Sequence, residues 1–179
     1  MKKIKLVFVL LASLLLFCSC DKTKTDIKLS SMSFELNDIQ VVSATRGDLN
    51  TFAATRTISL EDIQGITDEA IKYRKKIESI TVGPTTSITI TSTDGSGTVV
   101  KDFGLTASAV THGVSVSQYD LGTTYSGGTL ESFVIAVLNN LFQSNSATLN
   151  AQGKTDIPSG ETLKVKITIS EVILTAGIF

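Results

Sequence analysis

Leu163-Lys164-Val165-Lys166-Ile167-Thr168-Ile169, residues 163–169, places an apolar side chain at every odd position and a polar one at every even position. Successive side chains leave a strand on opposite faces, so period two marks a β-strand with one face in a core and one toward solvent. The same alternation recurs at Leu105, Ala107 and Ala109, at Val114 and Val116, at Ala147, Leu149 and Ala151, and through Ala54–Leu60. Ile80, Val82, Ile88 and Ile90 stand among threonines in a further strand region. In Ser33–Ala44, Phe34 and Leu36 hold one parity and Ile39 and Val41 the other. That shift predicts a β-bulge at Asn37-Asp38. Asp94-Gly95 is a hairpin-turn signal, with Val99–Phe103 as the return strand. Residues 153–160 separate two alternating runs and predict a second hairpin with a longer loop.

Two segments carry helical spacing. Ile66, Ala70, Tyr73, Ile77 and Ile80 are separated by four, three, four and three residues, which predicts a helix over Thr67–Ser79 capped by Thr67 or Asp68. Leu130, Phe133, Val134, Val137, Leu138 and Leu141 form a broader apolar face over Leu130–Phe142, with Gly127-Gly128 before it and Thr129 as its cap. Ile135, Ala136 and Phe142 widen that face, so this second helix is expected to be well buried. Strands do not alternate regularly with helices, which argues against a parallel doubly wound sheet. The fold class is mainly β (α+β): an antiparallel β-sandwich-like sheet domain with two helices, over residues 32–179. Val172, Ile173, Leu174, Ala176, Ile178 and Phe179 end the chain with almost no charge. They predict a strand inside the sheet; the alternative is an exposed strand that adds to another chain.

The N-terminus reads as an export signal over residues 1–19. Lys2, Lys3 and Lys5 make a positive start, and Leu6–Phe17 is apolar except for Ser13. That run is too short to cross a bilayer, which takes about 20 apolar residues. Phe17-Cys18-Ser19-Cys20 resembles the lipobox of bacterial lipoproteins, matching at the small Ser19 and at Cys20 and departing from the usual leucine at Phe17. The resemblance implies cleavage before Cys20, acylation of Cys20 with chains such as palmitate, and a membrane anchor. The competing reading is an ordinary secretory signal with incidental cysteines. With Cys18 removed and Cys20 acylated, no thiol remains for disulfides, thiolate catalysis or metal binding, because the sequence has only two cysteines. Residues 20–31 are polar, with Lys22, Lys24 and Lys28 among Thr and Asp, and read as a tether between lipid and domain.

Chemistry-bearing patterns are sparse. The chain has 179 residues, enough for one domain with a real core. Lys and Arg number 16 against 17 Asp and Glu, and three lysines leave with the signal. The remaining chain is mildly acidic, which argues against a nucleic-acid partner. His112 is the only histidine; it stands in Thr111-His112-Gly113, a turn, with no G-x-S-x-G elbow in the chain. Glu61-Asp62 and Asp68-Glu69 are adjacent carboxylates placed where they favour helix dipoles rather than acid–base work. There is no D-x-[DN]-x-[DN]-G loop, and one histidine cannot build a usual zinc site, so neither metal nor cofactor is expected. The absence of Trp argues against a sugar-stacking cleft, leaving Tyr73, Tyr119 and Tyr125 as the aromatic candidates. Gly127-Gly128-Thr129 opens a helix and reads as a cap in preference to an anion cradle. Arg46-Gly47-Asp48 spells an adhesion tripeptide but suits a turn. Lys72, Arg74, Lys75 and Lys76 form the basic cluster. Lys72, Lys75 and Lys76 share a helix face, either simply solvated or a candidate contact for anionic headgroups or acidic glycans.

The lipobox, the polar tether, the Thr- and Ser-rich strands and the Asp68–Ile80 segment with Tyr73-Arg74-Lys75-Lys76 are together similar to uncharacterised envelope lipoproteins of Bacteroidota-type bacteria. That resemblance implies a non-enzymatic domain in the cell envelope, lipid-anchored at the outer membrane on its periplasmic or outer side. It implies a binding or assembly module for an envelope protein or glycan. The alternative is a carrier that holds a lipid or other apolar ligand between helices and sheet. Neither oligomeric state nor strand order is written locally in the sequence.

Overall fold

The computed structural model describes residues 24–45 and 48–177. The signal reading over residues 1–19, Cys20, and Arg46-Gly47 of the adhesion tripeptide lie outside them. Nine strands follow in order: β1 (Lys24–Val42), β2 (Asn50–Ser59), β3 (Ile77–Thr81), β4 (Ser87–Ser92), β5 (Val99–Ala107), β6 (Val114–Asp120), β7 (Thr124–Ser126), β8 (Ser146–Thr155) and β9 (Thr162–Gly177). Helix α1 is Asp68–Tyr73 and helix α2 is Gly128–Ser144, and 3-10 turns occupy Leu60–Asp62 and Arg74–Lys76. The fold is mainly antiparallel β, a nearly closed sandwich-like sheet with two helices, as the alternation predicts.

The front sheet is built around β9. One edge of β9 pairs with β1, from Lys24↔Gly177 to Gln40↔Thr162. The other edge pairs with β3 over its C-terminal part and with β4 over its N-terminal part, and β7 adds to β4. The back sheet runs β2, β8, β5, β6. β1 joins the two, because its last residues Val41 and Val42 pair with Phe52 and Thr51 of β2. The bend that takes it across is the expected bulge: register shifts between Leu36 and Ile39, and Asp38 has φ 56°. An extra residue there returns Ile39 and Val41 to the core side.

The inner faces interdigitate. Phe34, Leu36 and Met32 of β1, Ile88 and Ile90 of β4, Phe103 and Leu105 of β5 and the odd positions of Leu163–Ile169 are all buried. Helix α2 closes the sandwich between β8 and β3, burying Leu130, Phe133, Val134, Val137, Leu138, Leu141 and Phe142. A helix end faces the same requirement as a sheet edge, and Asn145 meets it by taking a left-handed conformation at φ 68° while its N–H bonds Leu141 O at 2.8 Å. The N-terminal cap differs from the expectation. Gly127 is the cap residue and supplies no side chain, and Thr129 lies inside the first turn.

Three further expectations are corrected. Residues 24–31 are strand rather than tether: Ile27 and Leu29 are buried, Lys28 between them is exposed, and the segment pairs with β9 at every residue but Ser30. The sheet therefore takes in residues 24–31, which the expectation placed before the domain. The helix over Thr67–Ser79 stops at Tyr73, tightens into the Arg74–Lys76 turn and gives way to β3. Ile77 and Ile80 there gain a partner strand, Ala176 and Leu174, that suits β-branched side chains. Neither predicted hairpin closes. β4 pairs with β9 and β7 while β5 pairs with β6 and β8, so residues 93–98 cross between sheets. Likewise β8 and β9 belong to different sheets. A turn signal fixes a chain reversal, not the partner beyond it. The C-terminal strand is internal as expected, with partners on both edges among the described residues, so the alternative of an exposed strand awaiting another chain does not apply. Its buried positions switch parity at Ser170-Glu171, where Glu171 has φ 49°.

Candidate functional site

The two ends of the sandwich differ in what they gather. At one end β1 and β3 begin and β9 ends, with Lys24 opposite Gly177 and Ile77 opposite Ala176. Lys24 Nζ reaches across β9 to Glu78 at 2.8 Å, and that carboxylate raises the Lys24 pKa above its usual value. The turn before β3 is Arg74–Lys76, so the basic cluster stands at this end. Arg74 donates to Asn145 Oδ1, which fastens the cluster to the C-terminus of α2, where a cation is favourable. Lys72 lies 5.4 Å above the Tyr73 ring. Lys72, Lys75 and Lys76 are exposed, and none of the salt bridges among the described residues uses them. The sequence places all three on one helix face; the structure instead spreads them over the last turn of α1 and the 3-10 turn.

The opposite end holds four connections: residues 43–49, 93–98, 121–123 and 156–161. They are tied to one another. The Asp156 carboxylate accepts from Thr98 N at 2.9 Å, Val99 N at 3.0 Å and Thr98 Oγ1 at 2.6 Å. Burial pushes the Asp156 pKa up, but these bonds outweigh it and hold the group below the usual carboxylate value. Asn50 Nδ2 donates to Ile157 O at 2.8 Å, and Gly160 N to Val41 O at 3.0 Å. A polar hollow of about 550 Å³ lies beside them, lined by Thr45, Asp48, Lys101, Asp102 and Lys154 among others. The Asp156-Ile157-Pro158 turn was the available sequence signal for this rigid end, and reasoning from motifs passes over it.

A third feature joins two candidates that look unrelated in the sequence. His112, in the β5–β6 loop, faces the N-terminal half of α2 across a cleft of about 520 Å³. Val110, Thr111, Gly128, Thr129, Ser132, Phe133 and Ala136 complete its walls. His112 is exposed and makes no hydrogen bond among the described residues. The Ser132 hydroxyl donates back to Gly128 O at 3.0 Å, so it is not aligned on the imidazole. The loop is held by Asn140 Nδ2, which donates to Ser108 O at 3.2 Å.

The remaining candidates have structural roles. Asp62 accepts from Ser59 N at 2.7 Å and Ser59 Oγ at 2.9 Å, chiefly the backbone bond holding its carboxyl below the usual range. Asp68 and Glu69 occupy the first turn of α1, and Thr67 Oγ1 accepts from Ala70 N at 3.3 Å as its cap. Tyr119 bridges the sheets: its hydroxyl oxygen accepts from Ile90 N at 3.3 Å, and it faces the carbonyls of Ile88 and Thr123. Burial raises its pKa. Among the described residues no cluster of His, Cys, Asp and Glu is arranged to hold a metal, and no helix is long and apolar enough to cross a membrane.

No protein-family model matches the chain, and no curated protein matches it. Solved structures give distant likenesses. The decameric BFDV capsid protein aligns at 11% identity and a TM-score of 0.43, over 85% of this chain and 99% of that one. The Desmodium yellow mottle tymovirus structure aligns at 9% identity and a TM-score of 0.32, over 88% and 90%. Turnip yellow mosaic virus gives 9% identity and 0.34, over 88% and 96%. Similarity at this level carries neither the architecture nor the role of these proteins over to this chain.

Proposed function

We propose that the protein is a bacterial envelope lipoprotein, anchored through acyl chains on Cys20, that acts without catalysis as a binding or assembly module. What supports this reading is polarity. β1 starts at Lys24, four positions after Cys20, and the tied loops stand at the other end of the same strands. A strand rises about 3.3 Å per residue, so the length of β9 sets the loop end roughly 50 Å from the anchor end. A rigid loop surface held at that distance suits recognition of another envelope protein or a glycan. Two acyl chains hold a protein on a membrane stably, each buried methylene adding about 0.8 kcal/mol.

Cys20→Ala tests the anchor. The variant is expected in the soluble fraction after cell lysis while the wild type sediments with membranes. Full sedimentation of the variant defeats the lipoprotein reading. The apolar walls of the cleft beside α2, Val110, Phe133 and Ala136, favour one second reading, a carrier of an apolar ligand. Native mass spectrometry decides it: an added mass that disappears on denaturation supports a carrier, and a bare chain removes that reading.

A further inference from the structure

We propose that the anchor end is itself a membrane-docking face, on which Lys72, Arg74, Lys75 and Lys76 contact the anionic headgroups of the bilayer that holds the lipid. The proposal rests on the lipoprotein reading for its setting, and on three structural observations for its content.

The first is reach. Cys20 and Lys24 are four positions apart, and an extended chain covers at most about 3.6 Å per residue. The end of β1 is thus held at most about 14 Å from the acylated residue, an upper limit of under two Debye lengths of roughly 8 Å at physiological salt. A long tether would let the domain tumble free of the surface; one this short keeps the anchor end against it. The second is placement. The basic turn enters β3, which is separated from the start of β1 only by β9, and Lys24 Nζ of β1 reaches Glu78 of β3 at 2.8 Å. The third is composition. Ile71, 37% exposed, is one of two large apolar residues left exposed among the described residues and adjoins Lys72, with the half-buried Tyr73 beside it. Cations flanking an apolar and an aromatic side chain match the headgroup region of a membrane.

The negative groups nearby do not cancel the cluster. Glu78 is engaged by Lys24, and Asp26 accepts from Thr175 Oγ1 at 2.8 Å. Asp68 and Glu69 sit in the first turn of α1, where Asp68 is one turn from Lys72 and farther from Arg74, Lys75 and Lys76. Acyl chains and a basic patch together form the two-signal attachment that makes membrane binding persistent.

The experiment uses residues 20–179 carrying Cys20→Ala, which keep every described core residue and lack the lipid. Sedimentation with vesicles of phosphatidylcholine alone, or mixed with phosphatidylglycerol, reads the patch without the anchor. Binding is expected only to the mixed vesicles and should weaken with added salt. Each basic residue at such a surface is worth about five-fold in partition, so Lys72→Gln/Lys75→Gln/Lys76→Gln should lose roughly a hundred-fold. Lys101→Gln/Lys154→Gln/Lys164→Gln removes the same charge elsewhere and should lose far less. Equal binding to both vesicle types, absence of binding to either, or equal losses for the two triple variants overturns the proposal. All six lysines are at least partly exposed, and an unchanged thermal melt confirms that each variant is folded. The intact mass of the membrane-extracted protein is a separate readout: absence of acyl mass defeats the lipoprotein reading and leaves the vesicle result standing.

Discussion

Tyr119 shows how one side chain joins two sheets. Its ring is buried, and its hydroxyl meets backbone groups of β4 and of the β6–β7 turn. Tyr119→Phe leaves Ile90 N–H without that acceptor and should cost about 1–2 kcal/mol at neutral pH, read from denaturant midpoints. The pH dependence has a defined sign. Burial raises the folded-state pKa above the ordinary 10.0, so the stabilisation is complete below that value. It is lost as pH climbs through the folded-state pKa, and the gap between wild type and variant should narrow there. A gap that widens contradicts the assignment. His112 is the contrasting case. It is exposed and unbonded, and His112→Ala should change stability by no more than about 0.5 kcal/mol in the same assay. A much larger loss would show that the β5–β6 loop depends on the imidazole. At this scale the sequence was informative about capping and silent about contact. Thr67 and Asp62 act through neighbours three residues away, whereas Asp156 and Thr98 meet across 58 positions.

At the scale of elements, the coincident irregularity of β1 and β9 is the place to test. Inward parity switches between Leu29 and Met32 on β1 and between Ile169 and Val172 on β9, yet the pairing Leu29↔Val172 and Met32↔Ile169 keeps one register. Both strands therefore change face together. Neighbouring segments fit closely around the switch: Gly65, at φ +86°, leaves a side chain no room against Ser31 O, and Gly83 N bonds Ser170 O at 2.7 Å. Ser170 Oγ is buried there with no hydrogen-bond partner among the described residues. A hydroxyl so placed has lost its water and gained nothing, so Ser170→Ala should be neutral or stabilising by about 1 kcal/mol in thermal melts. A clear drop in Tm would mean that the oxygen is satisfied. Strands with a single parity, such as Leu163–Ile169, were legible from alternation alone. α2 was legible because its apolar face spans four turns. α1 was overextended because Ile77 and Ile80, three residues apart, keep helical spacing; in β3 a register shift between Ile77 and Ser79 brings both against the core, and only pairing with β9 reveals it. The basic cluster was visible as composition. Its position near the start of β1 depends on which strand β3 joins, and no local pattern states that.

For the whole molecule, the governing fact is that the first strand pairs with the last. Asp26 and Thr175, 149 positions apart, share a hydrogen bond, and most of the front-sheet ladder spans comparable separations. Closing such loops costs entropy before any contact repays it, so folding should be slow for the chain's size. Stopped-flow refolding is expected in the millisecond-to-second range, and a microsecond phase carrying the full amplitude would contradict this topology. The same topology explains why strand order was illegible: each strand announces its buried face, and pairing is decided by the assembled set. It also bears on synthesis. β1, β3 and β4 all wait for one late neighbour: until β9 emerges, β1 has only its two-residue pairing with β2, β4 only its three-residue pairing with β7, and β3 no partner strand among the described residues. The front sheet therefore cannot assemble around its central strand until synthesis has passed β9. A premature stop before residue 162 yields a product for proteolysis rather than a shortened domain.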